Sequence, residues 1–508
     1  MTSFLEQPED ILARLATLRE ADAPTHGGHV LSYVYDSGIA ELDELAASAI
    51  RMVQPVNGLD PTTFTSVAVM EREVIGFARE MLHGADDVVG PDVVVGPDVV
   101  VGTVTTGGTE SCLLAVKTAR DNWRAAHPDG VPRLLAPVTV HAAFQKAAHY
   151  FDLELDLVPV SSDGTVAAAA LIERLGDDVA LVVVSAPSYP FAALDPIEVV
   201  AAACLAAGVD CHVDACIGGW VLPFWSGLPA WDFRVAGVTS LSADLHKFGY
   251  APKGASVLLQ RGRDRQRSQY FATTRWPGYP VVNPTILGSK SAGPLAAGWA
   301  IVQALGAEGF AALAASCERS TRSLVELVGS IRGLRVVGEP VGPLLAVATD
   351  ESLPEEQRVD PHHWADQARS HGWLLQLQPG LTQTDGTHLP HTTHLTVTPV
   401  TQAVLGELSA ALVLSADEVR GVPPVTASDV LGALPPAIVA GLSSPDAAPL
   451  DSEAAYGLLA QIGLITPGDT SAPLPERMAP FLALVEALPA PLTERLLVEL
   501  LARLVEPV

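Results

Sequence analysis

The chain is short of positive charge, of cysteine and of charge altogether. Of 508 residues only 30 are Lys or Arg, against 58 Asp or Glu, for a net charge of -28. So acidic a surface repels nucleic-acid phosphates and anionic lipid heads, and nucleic-acid binding is set aside. The five cysteines, Cys112, Cys204, Cys211, Cys216 and Cys317, are an odd and sparse set. They do not make a disulfide framework, and no C-x-x-C pair points to zinc, so a reducing cytoplasm is the expected location. The N-terminus lacks the apolar core of a secretory signal. No window reads as the long charge-free run that a membrane span needs. Apolar residues are abundant, at 48% of the chain, enough for a large core in two or three domains.

Residues 1–60 read as an N-terminal helical arm. A six-residue unit then occurs twice in "GPDVVVGPDVVVGT", a local duplication feeding a strand rather than a solenoid. From there apolar strand-like runs, "VVVGTVT", "LLAPVTV", "VALVVVSA", "VDCHVDA" and "VAGVTSL", alternate with helical stretches. Strands apolar on both faces and separated by helices predict a mostly parallel sheet covered on both sides, an α/β large domain over 61–305. A second, smaller αβ domain over 306–422 holds "GLRVVGEP", "GPLLAVAT", "GWLLQLQPG" and "THLTVTP". Residues 423–508 read as a helical C-terminal extension whose last helix is amphipathic.

In a sheet of this kind ligands bind beyond the carboxyl ends of the strands. Chemistry-bearing residues gather there. "VVVGTVT" is followed by a glycine turn, Gly107-Gly108-Thr109, that opens a helix and so offers backbone N–H groups to an anion. "LLAPVTV" is followed by His141, "VDCHV" by Asp214, and "VAGVTSL" by "SADLHKFGYAPKGAS", which contains Lys247. Taken singly, a His there is a structural residue, an Asp a helix cap and a Lys a solvated side chain. Together they suit pyridoxal phosphate. That cofactor needs a lysine for its Schiff base, a carboxylate on its pyridine nitrogen, a flat neighbour and a phosphate cradle. The carboxylate keeps the ring an electron sink, each pKa unit gained by the nitrogen representing about 1.36 kcal/mol. Burial of Lys247 is expected to favour its neutral, nucleophilic form.

The motifs "HVDACIGGW" and "SADLHKFGYAPKGAS" resemble those of the sphingosine-1-phosphate lyase-like branch of the group II pyridoxal-dependent decarboxylases. The resemblance runs from about Tyr35 to Pro399 and includes "TTGGTESCLLAVKTARD", "SAPSYPFAALDPI" and "NPTILGSKSAG". It implies the fold-type I architecture and a homodimer with its sites between subunits. It also implies that Lys247 is the Schiff-base lysine, Asp214 the pyridinium partner and His141 the stacking residue. Gly108, Thr109 and His246 would hold the phosphate, with Gly288 and Ser289 reaching it from the neighbouring subunit and Lys253 near the substrate. Substrate-side candidates are Tyr35, Asn57, Asp60, Tyr189 and Phe191. Asp60 stands where the lyases carry histidine, and Phe191 where they carry Tyr or His. The activity implied is carbon–carbon cleavage of an amine substrate to an aldehyde in an altered substrate pocket. The alternative is amino-acid decarboxylation, and a cofactor-binding relic is the non-enzymatic reading. The histidines of "HLPHTTH", His388, His391 and His394, imitate a metal motif, but positions i and i+3 of a strand face opposite sides. No metal is expected.

Overall fold

The structure, a computed structural model, describes residues 5–84, 99–432, 450–461, 464–465 and 477–507. Most of the duplicated unit, residues 90–98, lies outside them.

Seven strands form the large sheet: β1 (Val100–Thr105), β2 (Arg133–Pro137), β3 (Glu154–Val158), β4 (Val179–Ser185), β5 (Asp210–Asp214), β6 (Ser240–Ala243) and β7 (Ser256–Arg261). Their order is β1-β7-β6-β5-β4-β2-β3. β2 to β6 pair in parallel, and β7 runs antiparallel to both its neighbours. β1 therefore points the same way as β6, and the carboxyl ends of β1 to β6 share one edge.

The period-2 alternation of β4 shows why both faces are apolar. Leu181 and Val183 pack with Cys112, Val116 and Phe144 under the helices Gly108–Ala126 and Ala142–Phe151. Val182 and Val184 pack with Val200, Cys204 and Val213 on the other face. Two strands of this sheet, β3 and β7, are not announced by the sequence pattern. β3 is an edge strand with Glu154 and Leu155 exposed, so its pattern is only half apolar. β7 lies directly behind the lysine motif. "VAGVTSL" was read early by several residues: β6 begins only at Ser240.

A short hairpin, β8 (Phe271–Thr273) with β9 (Val281–Asn283), precedes the helix Gly293–Ser330. By length and composition that helix could cross a membrane, contrary to the sequence expectation of no such run. Here it buries Leu295, Ile301, Phe310 and Leu324 in the protein core and breaks at Gly306, where φ is 53°.

The second sheet has β10 (Leu334–Val336), β11 (Leu344–Thr349) and β12 (Gln376–Gln378). A two-stranded ribbon, β13 (Leu381–Thr382) with β14 (His388–Leu389), follows, and then β15 (Thr392–Thr396). The sheet order is β10-β11-β15-β12, antiparallel throughout. The N-terminal arm is not wholly helical. Between its helices Pro8–Arg19 and Ala40–Val53, Leu31 joins this second sheet, donating its N–H to Leu374 O at 2.8 Å and accepting from Thr396 N at 2.8 Å. Trp364 fills the second core and donates its Nε1–H to Leu412 O at 2.9 Å.

Candidate active site

The shared strand edge brings the sequence candidates together. The helix Gly108–Ala126 starts straight after β1, and its first-turn N–H groups have no intrahelical partner. Gly107 needs its hydrogen because its φ is 148°, and a Cβ on Gly108 would collide with Asp244 Oδ2. Backbone is thus laid directly against the lysine motif, a cradle that any side chain would fill. Glu110 braces it, accepting from Thr106 N at 2.6 Å, Thr106 Oγ1 at 2.8 Å and Ile286 N at 2.7 Å.

His141 ends the loop after β2 and caps the next helix, its Nδ1 accepting from Ala143 N at 3.1 Å. Asp214 closes β5. Its Oδ1 accepts from Cys216 N at 3.1 Å and from Ser242 Oγ at 3.4 Å. Beneath it, burial pulls the His212 imidazole down to about 4, so it is neutral, and its ring nitrogens meet Ser240 Oγ at 2.8 Å and Ser242 Oγ at 3.1 Å. The Cys112 and Cys216 thiols lie beside Asp214. Their mutual hydrogen bond and burial hold Cys216 well above the usual thiol range.

Lys247 sits in the turn after β6, with Nζ 2.9 Å from Asp244 Oδ2. This corrects the sequence expectation about its charge. Burial does pull Lys247 down, but Asp244 more than offsets it and holds the ammonium well above its usual range. Asp244 answers in kind: burial pushes its carboxyl up, and Lys247 and His246 outweigh that and keep it ionised. The motif itself gives no sign of what Asp244 does. It sets the charge of the nucleophile, and aldehyde attack needs that charge removed. In Asp244→Asn, cofactor attachment to the apoprotein at pH 7 is expected to be several-fold faster, with the gap closing as pH rises. Stopped-flow absorbance on mixing with pyridoxal phosphate checks this, and an equal or slower rate at every pH would refute it.

Two cavities meet at Lys247, His141 and Cys216. One, of about 650 Å³, is lined by Thr106 to Glu110, Lys146, His246 and Lys253. Lys253 donates to His246 O at 3.0 Å and lies 4.5 Å over the Tyr35 ring. Burial and then Lys247 lower its ammonium to about 8. The other, of about 530 Å³, is lined by Tyr35, Asp214, Tyr189, Phe191 and the segment Gln376–Leu381. Burial raises the Tyr35 hydroxyl to about 12 and the Tyr189 hydroxyl further. The first cavity suits a phosphate and the second an apolar amine. Lys247, His141 and Asp214 lie at or beside their junction, where the ring would have to be. The residues present therefore fit pyridoxal phosphate.

Four candidates lie elsewhere in the chain. Asn57, Asp60, Gly288 and Ser289 line or border a third cavity of about 1320 Å³ that Lys247 does not line. Asp60 is not at the substrate cavity of its own chain. Its carboxylate closes a turn, accepting from Thr62 Oγ1 at 2.6 Å and Thr63 Oγ1 at 2.6 Å, which lowers it to about 2. The three histidines of "HLPHTTH" go to three different partners. His388 reaches Thr382 Oγ1 at 3.2 Å, His391 reaches Asp360 at 2.7 Å, and the buried His394 reaches Thr396 Oγ1 at 3.1 Å.

A mostly parallel sheet with lysine, aspartate, histidine and an anion cradle on one edge defines a fold-type I pyridoxal-phosphate protein. The chain belongs to the pyridoxal-dependent decarboxylase family, whose conserved domain matches residues 35–346. It is 34% identical over 363 residues to a sphingosine-1-phosphate lyase of Dictyostelium discoideum, a match covering 70% of this chain and 66% of that protein. An Oryza sativa sphingosine-1-phosphate lyase is 31% identical over 81% of this chain and 73% of its own. Among solved structures, the sphingosine-1-phosphate lyase of Burkholderia pseudomallei superimposes with a TM-score of 0.73 at 32% identity, over 83% of this chain and 93% of that one. The glutamate decarboxylase of Lactobacillus brevis shares the fold, with a TM-score of 0.70 at 18% identity. A second family, described as a pyridoxal-dependent enzyme C-terminal putative HTH domain, matches residues 436–503. The chain spans about two thirds of the length of the first curated relatives it matches, 66% and 65%.

Proposed function

We propose that this chain is a pyridoxal-phosphate-dependent carbon–carbon lyase that cleaves an amine bearing a hydroxyl on the neighbouring carbon and releases an aldehyde. The observation that carries this over amino-acid decarboxylation is the substrate cavity itself. Among the described lining residues of this chain the lysine side chain is Lys247 and no arginine is present, so no guanidinium of this chain faces a substrate carboxylate. Pro187, Pro190, Phe191, Leu377 and Leu389 line it instead. An apolar amino alcohol matches such a surface. A terminal phosphate would meet no arginine among the described lining residues of this chain, which supports the unphosphorylated substrate.

When bound, the cofactor supplies the electron sink for bond cleavage. The chain's residues supply the rest. Asp214 would hold a proton on the ring nitrogen, and His141, which lines both cavities, would flank the ring. Tyr35 and Tyr189, kept protonated by burial, act as hydrogen-bond donors to the substrate's polar end. Residues Asn57, Gly288 and Ser289 belong to a different cavity from their own Lys247, which supports a two-fold dimer whose sites are completed by the partner. The five cysteines are buried free thiols, in keeping with a cytoplasmic protein.

The test is a mass-spectrometric product screen on purified holoenzyme. Aldehyde is expected from long-chain amino alcohols, with free substrates better used than phosphorylated ones. Release of CO2 from an amino acid with no aldehyde from any amino alcohol would replace the lyase by the decarboxylase.

A further inference from the structure

The substrate cavity has one wall that comes from the second sheet, the strap Gln376–Leu381. The strap is tied to the large domain on its inner side. Gln378 Nε2 donates to Pro190 O at 2.9 Å, and the Gln383 amide exchanges two hydrogen bonds of 2.8 Å with Val160. His362 holds it from below, Nε2 to Gln378 O at 3.0 Å. Between those ties lie Pro379, which has no N–H, and Gly380. The Gly380 N–H is taken by Glu486 Oε1 at 2.9 Å, and Glu486 belongs to the C-terminal extension.

The extension is fixed there at two points. The helix Ala479–Ala487 carries Glu486 near its end. Its start is capped by Asp366, whose two oxygens accept from Met478 N at 2.9 Å and Ala479 N at 3.0 Å. Negative charge at a helix start is favourable, so Asp366 fixes the helix end opposite Glu486. Glu486 Oε1 also lies 4.0 Å from His391 Nδ1, and the other nitrogen of His391 meets Asp360 Oδ2 at 2.7 Å.

The charge of the extension argues against the nucleic-acid role that a helix-turn-helix description brings to mind. Over residues 436–503 the basic side chains are Arg477, Arg495 and Arg503, against eight acidic ones. Arg495 and Arg503 are both bound to Glu499, and Arg503 also to Glu453. A groove for phosphates needs cations free to meet them.

We infer that the C-terminal extension is the outer brace of the substrate cavity, with Glu486 the positioning residue that holds the Pro379–Gly380 wall. The wall lines the substrate cavity and takes no part in the phosphate cradle. Loss of the brace therefore weakens substrate binding and leaves cofactor attachment alone. The kinetic arm of the test rests on the lyase reading, while the exchange arm does not.

In holoenzyme carrying Glu486→Ala, amide hydrogen exchange over residues 376–383 is expected to quicken roughly five- to tenfold, the worth of one hydrogen bond from a backbone N–H to a side-chain oxygen. Exchange in β1 is expected to stay as in the parent. KM is expected to rise by a similar factor with kcat within about twofold, and the bound-cofactor absorbance not to change. Glu486→Gln keeps the acceptor oxygen and is expected to restore both quantities. Asp366→Ala, which frees the start of the helix, is expected to act in the same direction as Glu486→Ala. Parent-like exchange in Glu486→Ala would overturn the inference, as would a Glu486→Gln protein as defective as the alanine variant. If none of the screened compounds is turned over, the lyase reading fails and the exchange result alone decides the brace.

Discussion

Lys247→Ala protein is expected to bind pyridoxal phosphate yet retain none of it after borohydride reduction, with turnover reduced on the order of 10⁴-fold or more. The lysine is the one amine common to both cavities. The phosphate cradle of Gly107, Gly108 and Thr109 is backbone and survives the substitution. The variant also leaves Asp244 buried beside an empty space, and orphaning one member of a buried pair costs about 3–5 kcal/mol. A lower melting temperature is therefore expected alongside the lost activity. Lys247→Arg separates the two effects. Its guanidinium can pair with Asp244 and keep the fold, but it cannot attack an aldehyde. Peptide mapping after reduction of the parent protein is the check. A pyridoxyl group on Lys253 would overturn the assignment.

For Asp214→Asn a normal cofactor content and a loss of turnover of roughly 10²–10³-fold are expected, because a weakened electron sink raises the barrier by about 1.36 kcal/mol for each pKa unit lost at the ring nitrogen. The substitution is nearly isosteric. Asn Oδ1 can still accept from Cys216 N and Ser242 Oγ, so the turn after β5 keeps its shape. His212 beneath it is neutral and supplies no replacement proton. Absorbance of the bound cofactor and single-turnover rates in the same preparation separate binding from chemistry. Turnover within a few-fold of the parent would mean that Asp214 only closes its turn.

The cofactor half of this site was legible in the sequence because every part of it follows an apolar run. Thr106, His141, Asp214 and Lys247 each stand at or just beyond the end of a strand that the alternation of strand and helix announces. A parallel sheet then brings those ends together whatever the loops do. The charge state of Lys247 was not legible. It depends on Asp244, three residues away, being folded back onto the amine, and spacing alone does not tell an ion pair from a turn. The substrate half was legible only in part. Tyr35, Tyr189 and Phe191 line the cavity of their own chain, whereas Asp60 lies in the third cavity with its carboxylate taken up by two neighbouring threonines. The wall at Gln376–Leu381 carries no recognisable motif. Its brace, the contact of Gly380 with Glu486, joins positions 106 residues apart. No local pattern encodes such a contact.

The order of the parts along the chain gives synthesis a direction. The glycine turn of the cradle, His141, Asp214, Lys247 and both strands flanking the lysine all precede Gly262, and Ile286, which meets the cradle through Glu110, follows soon after. The strap and its brace come last, at 376–381 and 479–487. Domains tend to fold in the order in which they leave the ribosome. A nascent chain of this protein thus has its cofactor seat before it has a substrate wall. A chain broken off late in translation would be a cofactor binder without a closed reaction chamber.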